Sequence, residues 1–83
     1  MSVRDKSAEW KEDIERPYQE IGLRIKEWRM TNKIKQEDLA NSLGMKVLQI
    51  RLFETGKRAP TYEFFKSLRE VYNVDLNHMI TGE

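Results

Sequence analysis

The stretch Gln36–Glu54, QEDLANSLGMKVLQIRLFE, decides how this chain folds. Leu39, Ala40 and Leu43 recur at helical spacing before Gly44, and Met45, Ile50 and Phe53 recur after it, so each half has one apolar face. Two short helices built this way on either side of a glycine must cross. Ala40 falls where the crossing is closest, because a side chain without branches lets the second backbone approach. Gly44 accepts the left-handed backbone that ends one helix before the next begins, at little steric cost.

This is the plan of a helix-turn-helix, and the residues in and around it resemble a known family. Gln36, Leu39-Ala40, Leu43-Gly44, Ile50, Phe53-Glu54, Gly56, Arg58 and Pro60 look like the signature of the Cro/CI (XRE-type) helix-turn-helix domain, in the family's spacing. The resemblance runs from Ile21 to Gly82. The E-x-G-x-R-x-P tail, Glu54 to Pro60, and a helix on either side make it more specific than the two-helix pattern alone. It implies an all-α, five-helix Cro/CI repressor-like domain over residues 18–83. Residues 1–17 are expected to form an N-terminal extension with an additional short amphipathic helix.

Composition is that of a small globular domain. Charged residues make up 35% of the chain and hydrophobic ones 39%, too apolar for a disordered segment. At 83 residues there is room for one core, marginal enough that pairing with a second copy is useful. The chain has no cysteine, which removes disulfides and thiolate metal sites. No apolar run is long enough for a membrane span and the acidic, polar start is not that of a signal peptide, so a cytoplasmic protein is expected.

The net charge of +1 is unevenly placed. Residues 1–20 carry four basic and six acidic side chains, residues 21–60 nine basic and four acidic, and residues 61–83 two basic and four acidic. Positive charge therefore gathers around the two-helix stretch, a distribution that points to nucleic acid where the total does not.

In chain order, Ser7 can cap a helix over Ala8 to Arg16, with Trp10 and Ile14 on one stripe that Tyr18 continues. Those side chains either pack on their own domain or contact a partner. Pro17 opens the next helix, which runs from Tyr18 to Asn32 and buries Ile21, Ile25 and Trp28. The resemblance implies that Arg29 pairs with Glu54 to tie this helix to the end of the third. Relatives usually have a serine or threonine before Gln36 as an N-cap, whereas this chain has Lys35, so Gln36 or a bound phosphate is expected to serve the free amides. Pro60-Thr61 stops the chain and caps a helix from Tyr62 to Tyr72 with Phe65, Leu68 and Tyr72 on one face. Asp75 caps a last helix, Leu76 to Ile80, closed by Gly82. In relatives this final helix often helps form the dimer.

On the helix after Gly44, successive residues turn by about 100°. Ile50, Phe53 and Glu54 then face the core, Leu48, Arg51 and Leu52 face away, and Val47 and Gln49 lie at the margins. Relatives often carry base-reading polar side chains at the positions of Val47, Leu48 and Leu52, which here are apolar. Three accounts stand side by side. The apolar residues contact thymine methyl groups, with Gln49 reading adenine or backbone and Arg51 guanine or phosphate. Or they form a protein-binding patch. Or the N-terminal helix covers them, with Trp10 and Ile14 as its inner face.

Lys46, Lys57 and Arg58 are placed for backbone phosphates, which set register and affinity rather than sequence. His78, the only histidine, has no companion at metal-ligand or catalytic spacing, and no phosphate-binding glycine loop or nucleophile with its base occurs. No enzyme, metal or cofactor is expected. The resemblance implies a sequence-specific DNA-binding transcriptional regulator, a repressor, reading a palindrome on double-stranded DNA as a homodimer. Its interface is drawn from Gln36, Lys46, Val47, Leu48, Gln49, Arg51, Leu52, Lys57 and Arg58. The alternative is a protein-interaction module, anti-repressor or antitoxin-like, using Val47, Leu48 and Leu52. The chain stops where relatives often continue into a linker, which leaves room for a further dimerisation or sensor domain.

Overall fold

The computed structural model describes residues 18–83. Within them α1 occupies 18–31, α2 Gln36–Leu43, α3 Val47–Glu54, α4 Tyr62–Tyr72 and α5 Leu76–Thr81. No strand occurs among the described residues, and the architecture is the all-α one expected. The helix expected over Ala8 to Arg16 lies outside them, as does any cover it provides.

Ile25, Leu39, Ala40, Ile50, Phe53, Phe64, Leu68, Val74 and Met79 form the core, to which all five helices or their flanking turns contribute. Leu39 and Ala40 come from α2 and Ile50 and Phe53 from α3, so the two apolar faces read from the central stretch do meet. In α1, Ile25 is fully buried while Ile21 and Trp28 pack at the rim. In α4 the inward stripe runs through Phe64 and Leu68, with Phe65 only half-buried, which shifts the expected face by one residue. The cause is tertiary. Phe64 sits against Phe53, ring centroids 4.9 Å apart, and a helix can offer only one of two adjacent aromatics to the same neighbour.

Each of the helices α1 to α5 is followed by a residue in the left-handed region. Gly44 closes α2 at φ 68°, its N–H donating to the Asn41 carbonyl while that of Met45 reaches the Ala40 carbonyl. The same pair of bonds closes α1 at Lys33 (φ 57°) and α3 at Gly56 (φ 76°). This is the Schellman arrangement, which satisfies carbonyls that otherwise lack partners. Asn73 and Gly82 end α4 and α5 with single bonds to the carbonyls of Arg69 and His78. At the other ends Thr61 Oγ1 accepts from Phe64 N and Asp75 Oδ1 from His78 N, as the sequence led one to expect.

Three contacts fix how α1 sits. Gly22 is buried against the end of α3, where an added Cβ would strike the Phe53 carbonyl oxygen and lie 2.7 Å from that of Glu54. Arg24 donates from Nε to the Met79 carbonyl and from Nη2 to the Ile80 carbonyl, both at 2.6 Å, and so holds the end of α5. Trp28 meets Tyr72 edge to face at 5.2 Å. The Tyr72 hydroxyl in turn lies 2.6 Å from Ser42 Oγ, linking α4 to α2.

Candidate nucleic-acid interface

Under the junction of α2 and α3 lies a buried ion pair. Arg29 Nε donates to Glu54 Oε2 at 2.6 Å and Arg29 Nη2 to Oε1 at 2.9 Å, with Arg29 9% and Glu54 6% exposed. A third donor, Arg29 Nη1, reaches the Ile34 carbonyl at 2.9 Å. A bidentate arginine and carboxylate with their remaining capacity satisfied is the geometry in which a buried pair tolerates loss of water. It joins α1 to the last residue of α3, as the resemblance implied.

Gln36 extends this pair outward. Its Nε2 donates to Glu54 Oε1 at 3.0 Å, and its Oε1 accepts from Arg51 Nε at 3.3 Å. The expectation that Gln36 caps α2 is therefore corrected, since its side chain turns to the ion pair, and Lys35 at the N-cap supplies no side-chain cap bond. Gln49 is drawn inward in a similar way. Its Oε1 accepts from the Lys46 backbone N–H at 3.1 Å, half of a capping box, because a lysine N-cap has no acceptor to complete the other half. With its oxygen held there, the amide of Gln49 is turned toward the start of its own helix rather than set out for bidentate pairing with adenine.

Leu48 is 59% exposed, one turn from the exposed Arg51. Val47 and Leu52 are only half-buried, and Val47 packs against the core. The expected exposed apolar face of three residues thus contracts to Leu48, because Val47 opens α3 directly over the turn from α2. Lys46, Lys57 and Arg58 are all exposed. The backbone N–H groups of Lys57 and Arg58 bond the Leu52 carbonyl, which fixes their loop on the end of α3.

Seven of the nine basic residues in 21–60 are exposed, Lys26, Lys33, Lys35, Lys46, Arg51, Lys57 and Arg58, whereas Arg24 and Arg29 serve the fold. Lys26, Lys35 and Arg51, with Glu37 as the acidic member, surround an open basin of about 600 Å³ beside the start of α2. Both α2 and α3 begin at a lysine without a side-chain cap, and α3 has no acidic residue in its first turn. Such helix starts present free N–H groups and the positive end of the helix dipole to an anion. Among the described residues no cluster of His, Cys, Asp or Glu is arranged to hold a metal, and no helix is long and apolar enough to cross a membrane.

A short α2, a left-handed glycine turn and an α3 with basic surroundings define a helix-turn-helix of the DNA-binding class. The family model described as Helix-turn-helix matches residues 25–78, most of the chain, and the chain belongs to that family, the Cro/CI (XRE) type. Its members are DNA-binding regulators, generally without enzymatic activity, and this protein is a DNA-binding helix-turn-helix regulator. No curated protein and no solved structure matches the chain.

Gly22, and the outward link from Glu54 through Gln36 to Arg51, were not foreseen from the sequence. The only signal for the link was the pair Gln36 and Glu54 within the family pattern. Gly22 carried none, because a glycine inside a helix shows its purpose only when a neighbour's backbone is in place.

Proposed function

We propose that this protein is a transcriptional repressor that binds a palindromic operator as a homodimer, with residues 18–83 as the DNA-binding unit and α3 in the major groove. The observation that carries this reading is the exposure of Leu48 and Arg51 one turn apart on a helix whose far end is anchored by the buried Arg29–Glu54 pair. A reading surface must be rigid to discriminate bases, and this one is fastened from behind. Leu48 meets a thymine methyl group, Arg51 supplies the polar contact, and Lys46, Lys57 and Arg58 neutralise phosphates. Val47 and Leu52 border the contact, and Gln36 and Gln49 support it. The dimer would act in the compartment that holds the DNA, the cytoplasm, by occlusion of a promoter or by contact with polymerase from a neighbouring site. A protein-binding role for the apolar residues is less well supported, since one exposed leucine is not a contiguous apolar patch.

Selection of sites from random duplex DNA with the full chain tests this. Enrichment of an inverted repeat whose half-site centres lie one helical turn apart, about 34–36 Å, is the expected result. Recovery of no common sequence would overturn sequence-specific repression.

A further inference from the structure

Resting on that reading, we infer that Gln36 is a positioning residue that aims the guanidinium of Arg51 at the O6/N7 edge of a guanine. Glu54, already paired with Arg29, offers only acceptors, so Gln36 must turn its amide nitrogen to it, and the two lie 3.0 Å apart. The amide oxygen then points the other way, where Arg51 Nε donates to it at 3.3 Å. The reversed amide would set oxygen against carboxylate and N–H against guanidinium, so both ends of Gln36 are decided by charged groups. One half-buried side chain thereby carries the orientation of the core ion pair to an exposed arginine on the next helix.

With Nε engaged, the N–H groups on the two Nη atoms of Arg51 have no partner among the described residues. That end of the fork matches the paired acceptors of guanine in the major groove. A phosphate also matches the guanidinium fork, but it can be bound by lysine as a point charge, which Lys46 and Lys57 provide from exposed positions. Holding an arginine by Nε removes rotational freedom before binding, and that helps only where the angle of approach matters. A base edge imposes such an angle.

Two measurements on the full chain test this, one without DNA. In Gln36→Met, which keeps length but loses both bonds, the Arg51 Nε–H signal in a 15N NMR spectrum should shift and exchange faster with water. An unchanged signal overturns the tether. In the second, each guanine of a duplex recovered by selection is replaced in turn by 7-deazaguanine, which lacks the N7 acceptor. One replacement should weaken the parent protein by about tenfold. Arg51→Lys, an exposed substitution that keeps the charge, should be indifferent at that position. Gln36→Met should lose most of the discrimination there while keeping its affinity for the 7-deazaguanine duplex. Equal weakening of both duplexes by Gln36→Met would make its role merely structural and overturn the inference. Failure to enrich any duplex would instead overturn sequence-specific reading, and the inference with it, whatever the spectrum shows.

Discussion

Arg29 and Lys26 lie one turn apart on α1 and differ in what they lose when neutralised. Arg29→Met strands a buried carboxylate and frees the Ile34 carbonyl, and should cost about 3–5 kcal/mol of stability. Lys26→Met, at an exposed position, should change it by less than about 0.5 kcal/mol. Chemical denaturation of the two variants side by side gives the comparison, and equal stabilities would remove the ion pair as a major tie. Leu48 presents the opposite case, a side chain with little role in the free protein. Leu48→Ala should leave stability within about 0.5 kcal/mol but weaken the selected duplex by about 1–3 kcal/mol, and less when the contacted thymine is uracil. Affinities indifferent to that methyl group would assign Leu48 another role. That Leu48 and Arg51 face outward on α3 was legible in the helical period, whereas Leu52, expected beside them, is half-buried. What their polar ends do was not, because Gln36 and Gln49 each had several partners within reach and only the folded positions of Glu54, Arg51 and Lys46 selected among them.

At the scale of elements, the helix ends show how far turn chemistry can be read. Gly44 and Gly82 announce left-handed caps, whereas Lys33 and Asn73 adopt the same conformation without a glycine. A lysine there bears a steric penalty in return for closing α1 just before the loop into α2. Lys33→Gly should accordingly stabilise the domain by about 0.5–1 kcal/mol, read as a rise in the denaturation midpoint. No gain would mean that the αL strain at Lys33 is relieved by its surroundings. Gly22 belongs to α1 for a different reason, since its role is space rather than backbone freedom. Gly22→Ala improves helix propensity by about 1 kcal/mol yet places a methyl group on the Phe53 and Glu54 carbonyls. Because the obstacle is backbone, α1 must lift off α3, and a net loss of about 1–3 kcal/mol is expected. A neutral or stabilised Gly22→Ala protein would show that α1 can shift without loss.

At the scale of the whole molecule, α1 is the brace on which the reading helix rests. It reaches α3 through Gly22 and Arg29, α4 through Trp28 and α5 through Arg24, so three neighbouring helices are held by one. Positive charge is left on the outside of this assembly, and DNA binding should depend steeply on salt. Lys57→Ala should lower the slope of log K against log salt by about one unit and leave the preferred sequence unchanged. A slope equal to the parent's would take Lys57 out of the interface. If two copies read one palindrome, lengthening the spacer by about half a helical turn should abolish joint binding of both half-sites, since it sets them on opposite sides of the duplex. Binding insensitive to the spacer would speak for independent monomers.

Local order along the chain determined the helix boundaries, the turn at Gly44, the caps at Thr61 and Asp75 and the apolar faces of α2 and α3. These depend on residues a turn or less apart, and their spacing is written in the sequence. The family pattern added the Arg29–Glu54 pair. Tertiary structure alone decided that Phe64 rather than Phe65 enters the core, that Gly22 is where α1 meets α3, that Arg24 closes α5, and that Gln36 joins Glu54 to Arg51. Each of these turns on a neighbour distant in sequence whose backbone or charge occupies the one position that selects among locally equivalent choices.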